Sequence, residues 1–263
     1  AEAMVVLAHF LLSGAFGKAE PAAALDYLHA AKAKGQKFAD VMLGDAYRTG
    51  AVQPPDLAKA ASHYQAAAAN DLPTGKLRYG LALLKGEGVA ADPSAGLALL
   101  EELASTDNAA ALTTLAELYA KGDVVSADPG KSIEFYERAV NAGEKTALVR
   151  LGDLYRDGDL LPADPGKAYS YYKAADEAGV DVAKRRLAEA LLNGDGAPQD
   201  VSAAVALLED LAKTDPPGSY FLLGSLYASG EHLTADGARA LDYFEKAAEA
   251  GHSFANIRLG DLL

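Results

Sequence analysis

Residues 145–179 read KTALVRLGDLYRDGDLLPADPGKAYSYYKAADEAG. Ala147, Leu148, Leu151, Leu154 and Tyr155 fall at i, i+1, i+4, i+7 and i+8, the spacing of one face of a helix. Gly158 stands where a left-handed residue ends such a helix. Asp164 followed by Pro165 is an N-cap with a proline at the first helical position. Ala168, Tyr171, Tyr172 and Ala175 form a second stripe, and Gly179 closes it. The stretch predicts two helices joined by a short loop. Gly152 lies inside the first of them, where it costs about 1 kcal/mol against alanine. The expected return is close approach of the partner helix.

The pattern recurs every 36 residues. Gly44, Gly80, Gly152, Gly224 and Gly260 share one position of the grid, with Ala8, Ala116 and Ala188 filling it elsewhere. Six residues on stand Gly14, Gly50, Gly86, Gly122, Gly158, Gly194 and Gly230, and six further Glu20, Asp56, Asp92, Asp128, Asp164, Asp200 and Asp236. A lone helical hairpin cannot bury both of its apolar stripes, whereas stacked neighbours can. The fold class expected is therefore all-α, a right-handed α/α solenoid. It is read as a single solenoid over 1–263, with seven repeats at 3–38, 39–74, 75–110, 111–146, 147–182, 183–218 and 219–254 and a partial repeat at 255–263. A longer period of 108 residues, or three repeats, shows in LGD at 43–45, 151–153 and 259–261. It shows again in LLEELASTD (99–107) against LLEDLAKTD (207–215), and implies duplication of a three-repeat block.

This periodicity disposes of a tempting motif. GDVVSADPGKS (122–132) ends like a phosphate-binding loop, but that loop needs a glycine five residues before Gly130, where Val125 stands. It also needs a preceding strand, whereas the residues before Gly122 have helical spacing. The same segment recurs as GDLLPADPGKA (158–168), so it belongs to the repeat.

Composition narrows the function classes. Half of the 263 residues are hydrophobic, which excludes a disordered chain. No apolar run is long enough to span a membrane, and no basic residue precedes the opening apolar stretch as in a signal peptide. Cysteine is absent, removing disulfides, thiolate nucleophiles and cysteine-ligated metals. Asp and Glu outnumber Lys and Arg by 37 to 24, a net charge of −13. Nucleic-acid binding is not expected, and direct binding of any polyanion is disfavoured. The one tight basic cluster, Lys184-Arg185-Arg186, reads first as a solvated helix face. The chain is expected to be a piece of a longer protein, with Ile257, Leu259, Leu262 and Leu263 left uncapped or covered by a partner.

With these residues in view, the pattern A-x-x-x-L-G-D-L-Y-x-x-G…D-P-x-K-A-x-x-Y-Y-x-x-A-A-x-x-G resembles the Sel-one-like repeat, a relative of the tetratricopeptide repeat, over essentially the whole chain. The resemblance implies an adaptor or scaffold with protein partners and no cofactor. The cysteine-rich secreted branch of that family is excluded by the lack of cysteine. The Gly-x-Gly-Val loop of many such repeats is present as GEGVAAD and in part as GDGAPQD. The longer leucine-containing loops, GDLLPADPGKA among them, are similar to those of the periplasmic alginate-export scaffold lipoproteins. That similarity implies a bacterial envelope assembly such as exopolysaccharide secretion, and a periplasmic location. The alternatives are a regulatory adaptor that sequesters a signalling protein, and a carbohydrate-binding module. Against the latter, the regular tyrosines Tyr47, Tyr119, Tyr155 and Tyr227 sit on the expected core stripe.

In tetratricopeptide-type solenoids the first helices line a concave groove. The matching positions here are Val5 and His9; Val41, Asp45 and Arg48; Leu77, Leu81 and Leu84; Thr113, Glu117 and Lys121; Val149, Asp153 and Arg156; Arg185 and Glu189; Phe221 and Ser225. Leu77, Leu81 and Leu84 form either an apolar pocket for a partner or part of the packed interior. Asp45/Arg48 and Asp153/Arg156 are i, i+3 pairs, either plain surface ion pairs or the polar rim of a peptide site. Catalysis is not expected. None of the five histidines has metal-ligand spacing, and His63 falls on an aromatic core position. NGDGAPQD (193–200) would need an acidic residue at Ala204 to be a calcium loop.

Overall fold

The computed structural model describes residues 1–15, 17–51 and 54–262, and among these it contains fifteen helices and no strand. The chain divides into two compact units, 1–142 and 143–263. The first holds four helical hairpins: α1 (Glu2–Ser13) with α2 (Pro21–Ala33), α3 (Phe38–Thr49) with α4 (Leu57–Ala69), α5 (Pro73–Lys85) with α6 (Pro93–Ala104), and α7 (Ala109–Lys121) with α8 (Pro129–Asn141). The second holds three: α9 (Ala147–Asp157) with α10 (Pro165–Glu177), α11 (Asp181–Asn193) with α12 (Val201–Leu211), and α13 (Pro216–Ser229) with α14 (Gly237–Glu249). They are followed by α15 (Ala255–Leu262). Within each unit every helix packs on the next in sequence. In the first unit α3 also touches both α1 and α5, so first helices line one side of the stack. This is α/α solenoid architecture.

The caps set the repeat. Each first helix ends on a glycine in the left-handed region, from Gly14 (φ 68) to Gly230 (φ 68), where other residues are strained. The carboxylates of Asp56, Asp92, Asp128, Asp164, Asp200 and Asp236 each accept the backbone N–H three residues on, at 2.9–3.0 Å. Such a cap stabilises its helix by about 1 kcal/mol. The same aspartates donate their own backbone N–H to the preceding helix, as Asp164 does to the Tyr155 carbonyl at 2.8 Å and Asp128 to Tyr119 at 2.9 Å. One residue thus ends the loop and starts the helix, which fixes loop length. Glu20 makes the backbone bond, to Leu11, without the side-chain cap.

The interior is built of small and large residues in register. Tyr172, Phe244, Leu28, Leu100 and Leu208 on second helices lie opposite the small positions of the first and are at most 3% exposed. At the end of the second unit Phe254 (62%) and Ile257 (60%) are exposed, whereas Leu259 packs against the Tyr227, Ala240, Phe244 cluster. Leu263 lies outside the described residues.

Candidate functional site: an arginine–tyrosine–aspartate pocket in two copies

Six of the expected groove residues, Asp45, Arg48, Leu81, Asp153, Arg156 and Glu189, fall at two sites together with residues that the mapping missed. In the first unit Asp45 and Arg48 on α3 meet Tyr64 on α4 and Arg78 on α5. Tyr64 is 2% exposed, yet its hydroxyl reaches the pocket floor. It donates to Asp45 Oδ1 at 2.7 Å and accepts from Arg48 Nε at 3.3 Å. Arg78 Nε lies 3.6 Å and Arg48 Nε 3.9 Å from Asp45 Oδ1. Burial first, then the hydrogen bond to Asp45, pushes the Tyr64 phenol above its ordinary 10.0, so it stays a donor. The cavity above these groups has a volume of about 110 Å³, with Leu57 and Leu81 as apolar wall and Lys85 and Glu87 at its edge.

The second unit contains the same pocket 108 residues later. Asp153 and Arg156 on α9 meet Tyr172 on α10 and Arg186 on α11. Tyr172 donates to Asp153 Oδ1 at 2.8 Å, and its phenol is pushed up by the same causes. Arg156 Nη1 lies 3.2 Å and Arg186 Nε 3.1 Å from Asp153 Oδ1. This cavity, of about 460 Å³, is lined at the matching positions by Pro165, Glu189, Asn193 and Asp195. The Nε atoms of Arg78 and Arg186 are both buried without a hydrogen bond of good geometry among the described residues. Gly88 (φ 74) and Gly196 (φ 77) recur with the two sites: a Cβ on either would overlap the backbone that opens the preceding second helix, at Leu57 and Pro165.

Other expected groove positions turn out differently. Val41 (1% exposed), Leu84 (6%) and Val149 (6%) are buried, so they offer a partner no surface. Leu84 is covered because Gly96 on α6 has no side chain to hold that helix away. Leu77 and Leu81 are half-buried, which reduces the three-leucine patch to two. Glu117 is half-buried and Lys121 exposed, and no cavity described brings them together. Arg185 borders a shallow hollow with Leu211 and Thr214, apart from Glu189. Phe221 stacks on His252 at 4.1 Å and tilts against Phe244 at 5.5 Å, which makes it a packing residue.

The remaining motifs are absorbed by packing. Lys131 of the Gly-Lys-Ser sequence lies over the Tyr119 ring at 4.7 Å, and Ser132 Oγ donates to the Ala116 carbonyl at 3.0 Å. Both groups a phosphate loop would use are thus spent inside one hairpin. Lys59, Lys167 and Arg239 cover Tyr47, Tyr155 and Tyr227 in the same way. His63 stacks on Tyr47 at 5.7 Å and its Nδ1 lies 2.8 Å from the buried Asp40, which also pairs with Lys32 at 2.7 Å. In the basic cluster Lys184 pairs with Asp210 and Asp181, and Arg186 with Asp153 and Glu189. Among the described residues no group of three or more His, Asp or Glu is placed to hold a metal ion, and no helix is long and apolar enough to cross a membrane.

The sequence profile of the Sel1 repeat matches residues 1–36, 38–72, 74–106, 109–144, 146–180, 182–212 and 217–252. No curated protein matches. Among solved structures, a Sel1 repeat protein from Oxalobacter formigenes is 25% identical with a TM-score of 0.70, covering 92% of this chain and 97% of its own. The protective antigen c5321 of uropathogenic Escherichia coli, described as displaying an SLR fold, is 24% identical with a TM-score of 0.72. The match covers 99% of this chain and 56% of the antigen, so this chain spans little more than half of that protein. A putative Sel1 repeat protein from Klebsiella pneumoniae is 19% identical with a TM-score of 0.50, covering 72% of this chain and 91% of its own.

Proposed function

Because the chain belongs to the Sel1 repeat family, a family of protein–protein interaction scaffolds, we propose that it holds partner proteins through its two arginine–tyrosine–aspartate pockets. The observation that carries this reading is the recurrence of one polar constellation, Asp45, Arg48, Tyr64 and Arg78 as Asp153, Arg156, Tyr172 and Arg186, beside an open cavity in each unit. Guanidinium groups beside an open cavity offer directional hydrogen bonds to a peptide. The setting we propose is a bacterial envelope assembly, such as one exporting an exopolysaccharide. Its support is the similarity of the leucine-containing loops to those of alginate-export scaffolds. The acidic balance of −13 favours holding protein components over gripping an anionic polymer.

The test is affinity capture from bacterial envelope and cytosolic extracts, with the parent chain and an Arg48→Ala/Arg156→Ala variant as baits, both checked for folding by circular dichroism. Envelope partners held by the parent and lost with the variant support the reading. Partners from the cytosolic extract alone overturn the envelope setting, and partners equally held by both baits overturn the pockets.

A further inference from the structure

The two pockets share a floor and differ in how their arginines are satisfied. In the second unit the guanidiniums meet three carboxylates. Asp153 lies within 3.2 Å of both, Asp157 is 2.6 Å from Arg156 Nη2, and Glu189 is 3.4 Å from Arg186 Nη1. In the first unit the residues at the places of Asp157 and Glu189 are Thr49 and Leu81. Among the described residues Asp45 is the carboxylate that Arg48 and Arg78 meet, at 3.9 and 3.6 Å, and their side chains remain 41% and 38% exposed. Lys85 at the edge adds a third cation, paired with Glu87 only at 3.7 Å. The second copy thus displays the carboxylates that such an arginine pair accepts, and the first copy lacks two of them.

We propose that the first-unit pocket is a receptor for a single peptide carboxylate, which enters where Glu189 stands in the second unit and bridges Arg48 and Arg78. This deepens the docking reading above and rests on it. The cavity of about 110 Å³ takes a carboxylate on a short apolar stem, and Leu57 and Leu81 give that stem an apolar wall. Charge-assisted bonds from guanidinium to carboxylate are roughly twice as strong as neutral ones, and an aliphatic stem adds a favourable contribution in proportion to the area it buries. The net charge of the chain opposes a polyanion, so the occupant is one carboxylate on an otherwise neutral or basic segment. A C-terminal carboxylate and a glutamate side chain supply the same group. The second-unit cavity is larger, but its two guanidiniums are already paired with Asp153, Asp157 and Glu189 and take no further carboxylate.

The experiment follows the side-chain Nε–H resonances of Arg48, Arg78, Arg156 and Arg186 by NMR on the full chain. The probes are N-acetyl-leucine for the C-terminal source, N-acetyl-glutamate α-amide for the side-chain source, and N-acetyl-leucine amide as neutral control. Saturable shifts at Arg48 and Arg78 with either acid, absent at Arg156 and Arg186 and absent with the amide, are expected. The acid that saturates at lower concentration names the source. Leu81→Glu, which copies the second pocket, lowers affinity at least about tenfold, while Glu189→Leu makes Arg186 respond; circular dichroism confirms that both remain folded. Absence of saturable shifts overturns the proposal. So do equal responses in the two units, equal responses to acid and amide, or unchanged affinity in a folded Leu81→Glu chain. The probes are defined small molecules, so this outcome is independent of the capture experiment. Carboxylate binding without any captured partner leaves the pocket chemistry standing and removes its docking role.

Discussion

Tyr172 donates its phenolic hydrogen to Asp153 across a hairpin, over 2.8 Å, from a ring that is only 1% exposed. Tyr64 repeats the bond with Asp45 over 2.7 Å. Both phenols are pushed above the ordinary 10.0 by burial and by the neighbouring carboxylate. A raised folded value means that the native state holds these protons more tightly than the unfolded chain does. Their stabilising contribution is complete below pH 10 and is lost as pH rises beyond it toward the folded value. The Tyr64→Phe/Tyr172→Phe chain is expected to lose about 1 kcal/mol per hydrogen bond at pH 8, because Asp45 and Asp153 keep their arginines. Above pH 10 its unfolding midpoint falls less steeply than that of the parent. Urea unfolding at pH 8 to 11 reads both effects, and parallel curves would remove the assignment.

Gly152 faces the Tyr172 ring so closely that an added Cβ would overlap its Cε1 and Cδ1 atoms. Gly152→Ala gains about 1 kcal/mol in helix propensity and loses about 1–3 kcal/mol to overpacking. Net destabilisation is expected, and a smaller second-helix residue, as in Gly152→Ala/Tyr172→Leu, relieves the clash. The sixth repeat already pairs Ala188 with Leu208. The fourth pairs Ala116 with Tyr136, so a hairpin can adjust to hold both, and this limits the penalty. Thermal unfolding of the single and double variants gives the coupling between the two sites.

The parts of this fold that were legible in the sequence are those fixed by local chemistry. Asp164 caps its own helix and Gly158 needs its own positive φ, so each left a mark at a constant spacing. The small position at Gly152 was legible too, although its partner Tyr172 was read only as one more stripe residue. The pocket was half legible. Asp45/Arg48 and Asp153/Arg156 are neighbours on one helix and announced themselves as pairs. Arg78 and Arg186 come from the following repeat, and nothing local marks them as partners; the 108-residue step was the signal that aligns them. The stripe position of Tyr172 marks its ring as core and says nothing of its hydroxyl, which serves the site as that of Tyr64 does. Val41, Leu84 and Val149 were misplaced because inward positions borrowed from a related repeat do not register how closely a helix such as α6 approaches through Gly96.

Two buried serines at different grid positions predict opposite outcomes. Ser132 Oγ donates to the Ala116 carbonyl at 3.0 Å, bridging the hairpin. Ser219 Oγ is equally buried, at 1% exposure, and has no hydrogen-bond partner among the described residues. Other repeats carry alanine or glycine at the position of Ser219, as Ala111, Ala147 and Ala183. Ser132→Ala is expected to cost about 1 kcal/mol, and Ser219→Ala to be neutral or to stabilise by a similar amount. Chemical denaturation of the two variants against the parent separates them, and a destabilised Ser219→Ala would point to a partner for the hydroxyl.

Asp210 on α12 shows how the acidic surface responds to pH. Lys184 Nζ on α11 lies 2.5 Å from one of its oxygens and Lys213 Nζ 2.9 Å from the other. The hydrogen bond from Lys184, followed by that from Lys213, draws the carboxyl from the ordinary 3.8 down to about 2. A depressed folded value gives stability that is fully present above the unfolded value and is lost as pH falls through the folded one. The window here runs from about pH 4 down to about pH 2. Asp210→Asn keeps the shape and removes the charge, so its unfolding temperature should lie below that of the parent at pH 6. The gap should close as pH falls through that window, and 1 M salt should narrow it at pH 6 because both partners reach solvent. A gap that persists unchanged at pH 2 would mean that the carboxamide disturbs packing between α11 and α12, and the ion pair would then have no part in holding those helices together.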